Sequence, residues 1–129
     1  MTQQFTVRLK NEPGALARLA QALADHGIDI RTIGAGGIGT VACAVLSTNN
    51  PDAARDVLRR ERYQFAEGEV LTVAVEDQPG SLARLTGRLA EANINLLGVL
   101  VLGRHQGKAE LALTVDEVDK ARRILSAAS

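Results

Sequence analysis

At 129 residues, with 46% apolar side chains and only Phe5, Phe65 and Tyr63 as aromatics, the chain suits one domain or two very small ones with an aliphatic core. Lys and Arg number 15, as do Asp and Glu, which excludes a general electrostatic attraction to nucleic acid or to an anionic membrane. Cys43 is the sole cysteine, so no intrachain disulfide framework is expected. With no charged and apolar leader and no apolar run of spanning length, the expected setting is the cytoplasm.

The first strand signal is the alternation of Phe5, Val7 and Leu9 with Thr6, Arg8 and Lys10, the period of a half-buried strand. Asn11 stands two residues ahead of Pro13, where it can cap a helix or form a local turn, and Pro13 suits a first helical turn. Leu16, Leu19 and Leu23 then predict one apolar stripe, and Gly27 a left-handed stop. A strand begins at Ile28. Residues Gly34–Gly39 match the G-x-G-x-x-G spelling of a dinucleotide loop, but they lead into Thr40–Ser47, which is β-branched and apolar. A phosphate-binding loop must open a helix, so these glycines read as a loose hairpin. Cys43, within Val41–Val45, reads as a small buried thiol. A helix over Pro51–Arg62 with Val57 and Leu58 inward follows, then a strand over Gln64–Val70.

The pattern then starts again. A shift of 66 positions lays residues 11–30 on residues 77–96 without a gap, matching Pro13 to Pro79, Gly14 to Gly80, Leu16 to Leu82, Arg18 to Arg84 and Ile28 to Ile94. Such a match marks a duplicated unit. Leu71, Val73 and Val75 form the second alternating strand, Asp77 stands where Asn11 stood, and Asn93 takes the place of Gly27. Strands from Ile94 and over Lys108–Val115 follow, then a helix over Asp116–Ala127 with Ile124 and Leu125 inward. The units are expected over residues 1–70 and 71–129, the second without residues for a fourth strand. Either its sheet has three strands or the stretch Gln64–Glu76 serves both halves.

Strand, helix, strand, strand, helix, strand is the ferredoxin-like order, an α+β unit with an antiparallel sheet and both helices on one face. Glu12-Pro13-Gly14-Ala15-Leu16-Ala17-Arg18-Leu19 with Gly27-Ile28-Asp29-Ile30 resembles the ACT domain family. Gln78-Pro79-Gly80-Ser81-Leu82-Ala83-Arg84-Leu85 with Asn93-Ile94-Asn95-Leu96 resembles it again. ACT domains are amino-acid-binding regulatory domains, so the resemblance, which covers nearly the whole chain, implies a stand-alone tandem of them without a catalytic domain.

The loop entering each first helix is the leading site on physical grounds. Unpaired N–H groups at a helix start can receive a carboxylate, Gly14 and Gly80 leave room for it, and Asn11 or Asp77 can accept from an ammonium group. The resemblance implies that the ligand is an amino acid held between this loop and the second strand of a neighbouring unit. That implicates Asn11, Pro13, Gly14, Ala15 and Leu16 with Asp29 and Ile30. In the second repeat it implicates Asp77, Pro79, Gly80, Ser81 and Leu82 with Asn95 and Leu96. The plainer reading is that these residues only cap and turn.

Other groups carry less. His26 stands where a cation would favour the end of a helix dipole, His105 in a hairpin over Gly103–Gly107, and Arg18 and Arg84 in solvent, though near enough to the helix start to assist an anion. No grouping has metal-ligand spacing, no cofactor is implied, and an RNA-binding sheet would need stacking aromatics that these strands lack. The leading function is therefore a non-catalytic regulator that senses an amino acid at unit interfaces, with an enzyme of amino-acid metabolism as the partner it would act on. The alternatives are a ligand-free dimerisation module and a ferredoxin-like enzyme such as an acylphosphatase, which would need an arginine in a phosphate-cradling loop. The run Leu96–Leu102, apolar but for Gly98, implies burial on both faces and hence a homo-oligomer.

Overall fold

The computed structural model describes residues 2–127. In chain order the elements are β1 (Gln3–Lys10), α1 (Ala15–Ala24), β2 (Ile30–Ile38), β3 (Val41–Thr48), α2 (Pro51–Arg60), β4 (Phe65–Glu69), β5 (Leu71–Glu76), α3 (Ser81–Glu91), β6 (Leu96–His105), β7 (Lys108–Val115) and α4 (Val118–Ala127). They divide into two units, Met1–Glu67 and Gly68–Ser129. The architecture is α+β, two tandem ferredoxin-like units with antiparallel sheets and helices on one face.

In the first unit the strand order is β2-β3-β1-β4. The alternation read from the sequence holds: Phe5, Val7 and Leu9 are buried while Arg8 and Lys10 are exposed. Their partners across the ladder are Leu46, Ala44 and Ala42, and side chains of paired residues share a face. Leu19 and Leu23 of α1 and Val57 and Leu58 of α2 close over that face. Each fully buried aliphatic side chain contributes about 1.5–3 kcal/mol. Phe65 of β4 packs edge-on to Phe5 with ring centroids 5.9 Å apart.

The second unit repeats the plan with three described strands in the order β5-β7-β6. Leu71, Leu111, Leu113 and Val115 meet Leu85 and Leu89 of α3 and Ala121 of α4. The second helices begin alike. Asn49 accepts a hydrogen bond from the Asp29 N–H at 2.9 Å, and Asp116, 67 positions on, accepts from the Asn95 N–H at 3.0 Å. This correspondence pairs Asp52 with Asp119 and Arg55 with Arg122.

Several expectations need correcting. Helices α1 and α3 start at Ala15 and Ser81, with Gly14 and Gly80 as N-caps in the left-handed region at φ 87° and 90°. Pro13 and Pro79 therefore precede the helix, and Asn11 and Asp77 are not its caps. The buried stripes are Ala15, Leu19, Leu23 and Ser81, Leu85, Leu89, while Leu16 and Leu82 are 42% and 51% exposed. One residue beyond Ala15 or Ser81 is about 100° round the helix, which carries the leucine off the stripe. The glycines of Gly34–Gly39 are not a loose loop: β2 continues to Ile38, and only Gly39 and Thr40 turn. Cys43 pairs with the exposed Arg8 and is half-buried on the face away from the helices. Gly27 and Asn93 do adopt positive φ, 69° and 60°, at the helix ends. In the apolar run of β6, Leu96–Leu100 are half-buried or buried, but Val101 and Leu102 are 51% and 40% exposed.

Candidate functional site

The two predicted loops are built the same way. The Asn11 N–H donates to the Thr40 carbonyl at 3.1 Å and the Asp77 N–H to the Gly107 carbonyl at 2.9 Å, tying each loop to the hairpin opposite. The side chains add a second tie. Asn11 Nδ2 donates to the Gly39 carbonyl at 3.0 Å, and Arg104 Nε donates to Asp77 Oδ1 at 3.2 Å. Asn11 lies so close to Gly37 that a Cβ there would stand 2.5 Å from its Oδ1, so a side chain at that strand position would have to displace the Asn11 amide. The side chains expected to meet a ligand ammonium group thus already brace the hairpins.

The helix starts are open. No side chain caps α1 or α3, whereas in α2 the Asn50 side chain accepts from the Ala53 N–H at 3.1 Å. The Ala15 and Ser81 N–H groups reach Glu12 and Gln78 carbonyls at 3.3 Å. The next donors in the turn, on Leu16 and Ala17 or Leu82 and Ala83, are where an anion would sit. The positive φ of Gly14 and Gly80 sets this approach, and no residue with a Cβ adopts it cheaply. Arg18 and Arg84 fold back over these glycines, their Nη1 atoms 3.1 and 3.0 Å from where a Cβ would be.

The remaining predicted residues lie elsewhere. Lys10 is opposite Val41 on β3, and Ile30 is opposite Thr48. Seven residues of strand, about 24 Å, therefore separate the Asn11 loop from Asp29 and Ile30. Glu76 opposite Lys108 and Leu96 opposite Val115 give the same separation in the second unit. No single unit brings its loop and its second-strand start together. Asp29 instead accepts from Arg31 at 2.9 Å, and Asn95 and Leu96 lie at the far end of β6.

Each unit also carries a groove that the sequence reading did not foresee, beside the first strand and first helix. In the first unit it encloses about 650 Å³ and is lined by residues including Arg8, Lys10, Ala15, Arg18 and Tyr63. Burial raises the Tyr63 phenol pKa; the charge of Arg18 opposes the shift and that of Glu61 adds to it. In the second unit the groove encloses about 690 Å³ along the whole of β5, walled by Ser81, Arg84 and Arg88 of α3 and by Arg122 and Leu125 of α4. Ala15 and Ser81 are the predicted site residues that line these grooves. Arg18 and Arg84 were visible as a repeated pair, but Arg88 falls opposite Ala22 in the matched segment, Arg122 and Tyr63 sit outside it, and none of the three gave a signal.

The other polar groups are structural. His26 has both ring nitrogens occupied, by the Ala22 carbonyl at 2.9 Å and by Arg60 Nη1 at 3.0 Å, so it is held by specific partners rather than by the helix dipole alone. Arg55 binds Glu67 through Nε at 2.5 Å and Nη2 at 2.7 Å, and Asp52 at 2.9 Å. These hydrogen bonds, Glu67 foremost, raise its pKa further above the ordinary arginine value. Among the described residues no three His, Cys, Asp or Glu side chains are grouped to hold a metal, and no helix is long and apolar enough to cross a membrane.

Duplicated ferredoxin-like units, each with a glycine-capped, unblocked helix start, place the protein among tandem α+β domains with paired helix-start loops. The pattern of the ACT domain matches residues 4–62 and again residues 70–123, and the chain belongs to the ACT domain family. Its fold is similar to that of protein BT0572 from Bacteroides thetaiotaomicron, with a TM-score of 0.70 and 19% identity over 98% of this chain and 88% of that one. It is also similar to the regulatory subunit of aspartate kinase from Thermus flavus, with a TM-score of 0.68 and 17% identity over 98% and 89%. The same subunit from Thermus thermophilus, in its ligand-free form, gives 0.63 and 16% over 98% and 92%. At these identities the likeness speaks for the fold alone. No curated protein matches the chain.

Proposed function

We propose that the protein is a non-catalytic regulator that binds a free amino acid at the starts of α1 and α3 and passes the event on as a change in packing between units. The observation that carries this reading is the pair of helix starts with left-handed glycine caps and no side-chain cap. The N-terminal end of a helix favours a carboxylate, and its free donors give the carboxylate direct partners. Membership of the ACT family and the likeness to regulatory subunits of aspartate kinase support a regulatory role, with an enzyme of amino-acid metabolism as the protein it acts on.

The separation of each loop from the start of its own second strand argues for a site completed by another unit. Leu16 with Ile33, and Leu82 with Val101, leave exposed leucine, isoleucine and valine on the helix side of each second strand, a place where a further unit can bury them. Asp29 and Ile30, or Asn95 and Leu96, of a neighbouring unit then complete the pocket, and the protein works as a homo-oligomer. The same exposed leucines favour a second reading, a ligand-free assembly module.

A thermal-shift screen against the common amino acids separates the two. An amino acid at about 100-fold its dissociation constant adds roughly 2.7 kcal/mol of stability, several degrees of melting temperature for a chain of this size. If none moves the midpoint at millimolar concentration, the assembly module replaces the sensor.

A further inference from the structure

The two units treat the same edge differently. In the first, β1 has β3 on one side and β4 on the other. In the second, β5 pairs with β7 alone among the described residues and forms the end of its sheet. Its other edge faces the long groove, and Thr72, Ala74 and Glu76 along it are exposed. An unpaired edge offers a row of backbone donors and acceptors to any extended segment.

The walls of that groove decide which segment fits. Among the described residues Arg84 hydrogen-bonds to the Ser81 hydroxyl at 3.3 Å, and Arg88 to the Ile124 carbonyl at 2.6 Å. Neither has a carboxylate within ion-pair distance among the described residues, unlike Arg122, which holds Glu69 at 2.9 Å. A second copy pairing its own β5 there would bring a second Arg84 and Arg88 to the same seam, and like charges repel. The first unit shows what its edge prefers. There β4 turns Phe65 into the core and Glu67 onto Arg55 of α2, and Arg55 is the counterpart of Arg122.

We propose that the β5 edge is a docking site for an extended acidic segment of a partner protein, added as a fourth strand. Its helix-facing residues would alternate between an apolar side chain over Leu125 and carboxylates on Arg84 and Arg88. This surface adjoins the amino-acid site at the start of α3, since Ser81 and Arg84 border both, and it gives the regulator a place to hold its target.

Hydrogen exchange on the full chain tests the idea, with a capped peptide of residues 64–70, Gln-Phe-Ala-Glu-Gly-Glu-Val, as the probe. The peptide should slow exchange of amides in Leu71–Glu76. A copy with both glutamates replaced by lysine should not, nor should a copy N-methylated at alternate residues, which cannot form the ladder. Arg84→Glu should weaken binding of the acidic peptide about tenfold, the loss of one charged hydrogen-bond pair, while protection in the β6–β7 hairpin reports that the fold is intact. Absence of protection at millimolar peptide overturns the proposal. So does equal protection by the lysine or N-methylated copies. Protection that rises with protein concentration and no peptide would assign the edge to a second copy instead.

Discussion

The first and second units start from nearly the same residues and end with different edges. In the first, β4 follows α2 and lies on β1, so that Phe65 covers Phe5 and Glu67 meets Arg55. In the second, Leu71 stands where Phe5 stood, β5 is the bare edge among the described residues, and arginines gather along it. Duplication preserved what the local pattern controls, namely the glycine-capped helix starts and the aliphatic stripe. It left the sheet edge to be finished by whatever lies alongside. Among the described residues the shared fold therefore ends in two ways, with the first-strand edge covered in one unit and open in the other.

The largest expected effect that breaks this comparison is in the core. Phe5 is fully buried and packed against Phe65, so Phe5→Ala should cost about 3–5 kcal/mol. Leu71→Ala, at the equivalent position with 7% exposure and no covering strand, should cost nearer 2 kcal/mol. Denaturant unfolding followed by circular dichroism measures both. Equal losses would mean that the second edge is as well covered as the first.

A smaller effect should separate the two helix arginines. Arg55 and Glu67 are 24% and 21% exposed and share two hydrogen bonds, whereas Arg122 is 47% exposed and bonds Glu69 and Asp119 singly. Exposed single pairs contribute little. Arg55→Ala should therefore lower the thermal midpoint more than Arg122→Ala does. The reverse order would show that β4 is held mainly through other contacts.

The smallest effect is spectroscopic. Tyr63 is the only tyrosine and lines the groove of the first unit alone. Burial holds its phenol above the ordinary value of 10.0, so its absorbance should titrate later in the folded protein than after unfolding. A raised folded pKa means that this contribution to stability is present below the unfolded value and is lost as pH rises through the folded one. Because Arg18 opposes the shift, Arg18→Ala should move the midpoint higher still. A midpoint that stays put would remove Arg18 from that groove.

Much of the fold was legible because it rests on local signals. Alternation placed Phe5, Val7 and Leu9 inward, and Asn93 in the place of Gly27 marked a helix end in both units. The Pro-Gly pairs were read one step wrong: a left-handed glycine can itself be the N-cap, and that moved each helix start two residues on and turned Leu16 and Leu82 outward. Cys43 was misplaced because Ala42, Cys43 and Ala44 are all small, so composition does not tell which face each takes; the ladder to β1 does. The loops were legible from their repetition. The grooves were not, since Tyr63 reaches the first unit's groove, and Arg88 and Arg122 the second unit's, only through tertiary packing.

The central claim is that an amino acid binds at the helix starts, and backbone amide resonances report on those donors directly. Titrating the protein with the amino acid that raises its melting temperature most should shift the amides of Leu16 and Ala17, of Leu82 and Ala83, or of both pairs, in a saturable way. Saturable shifts confined to residues away from both helix starts would contradict the account.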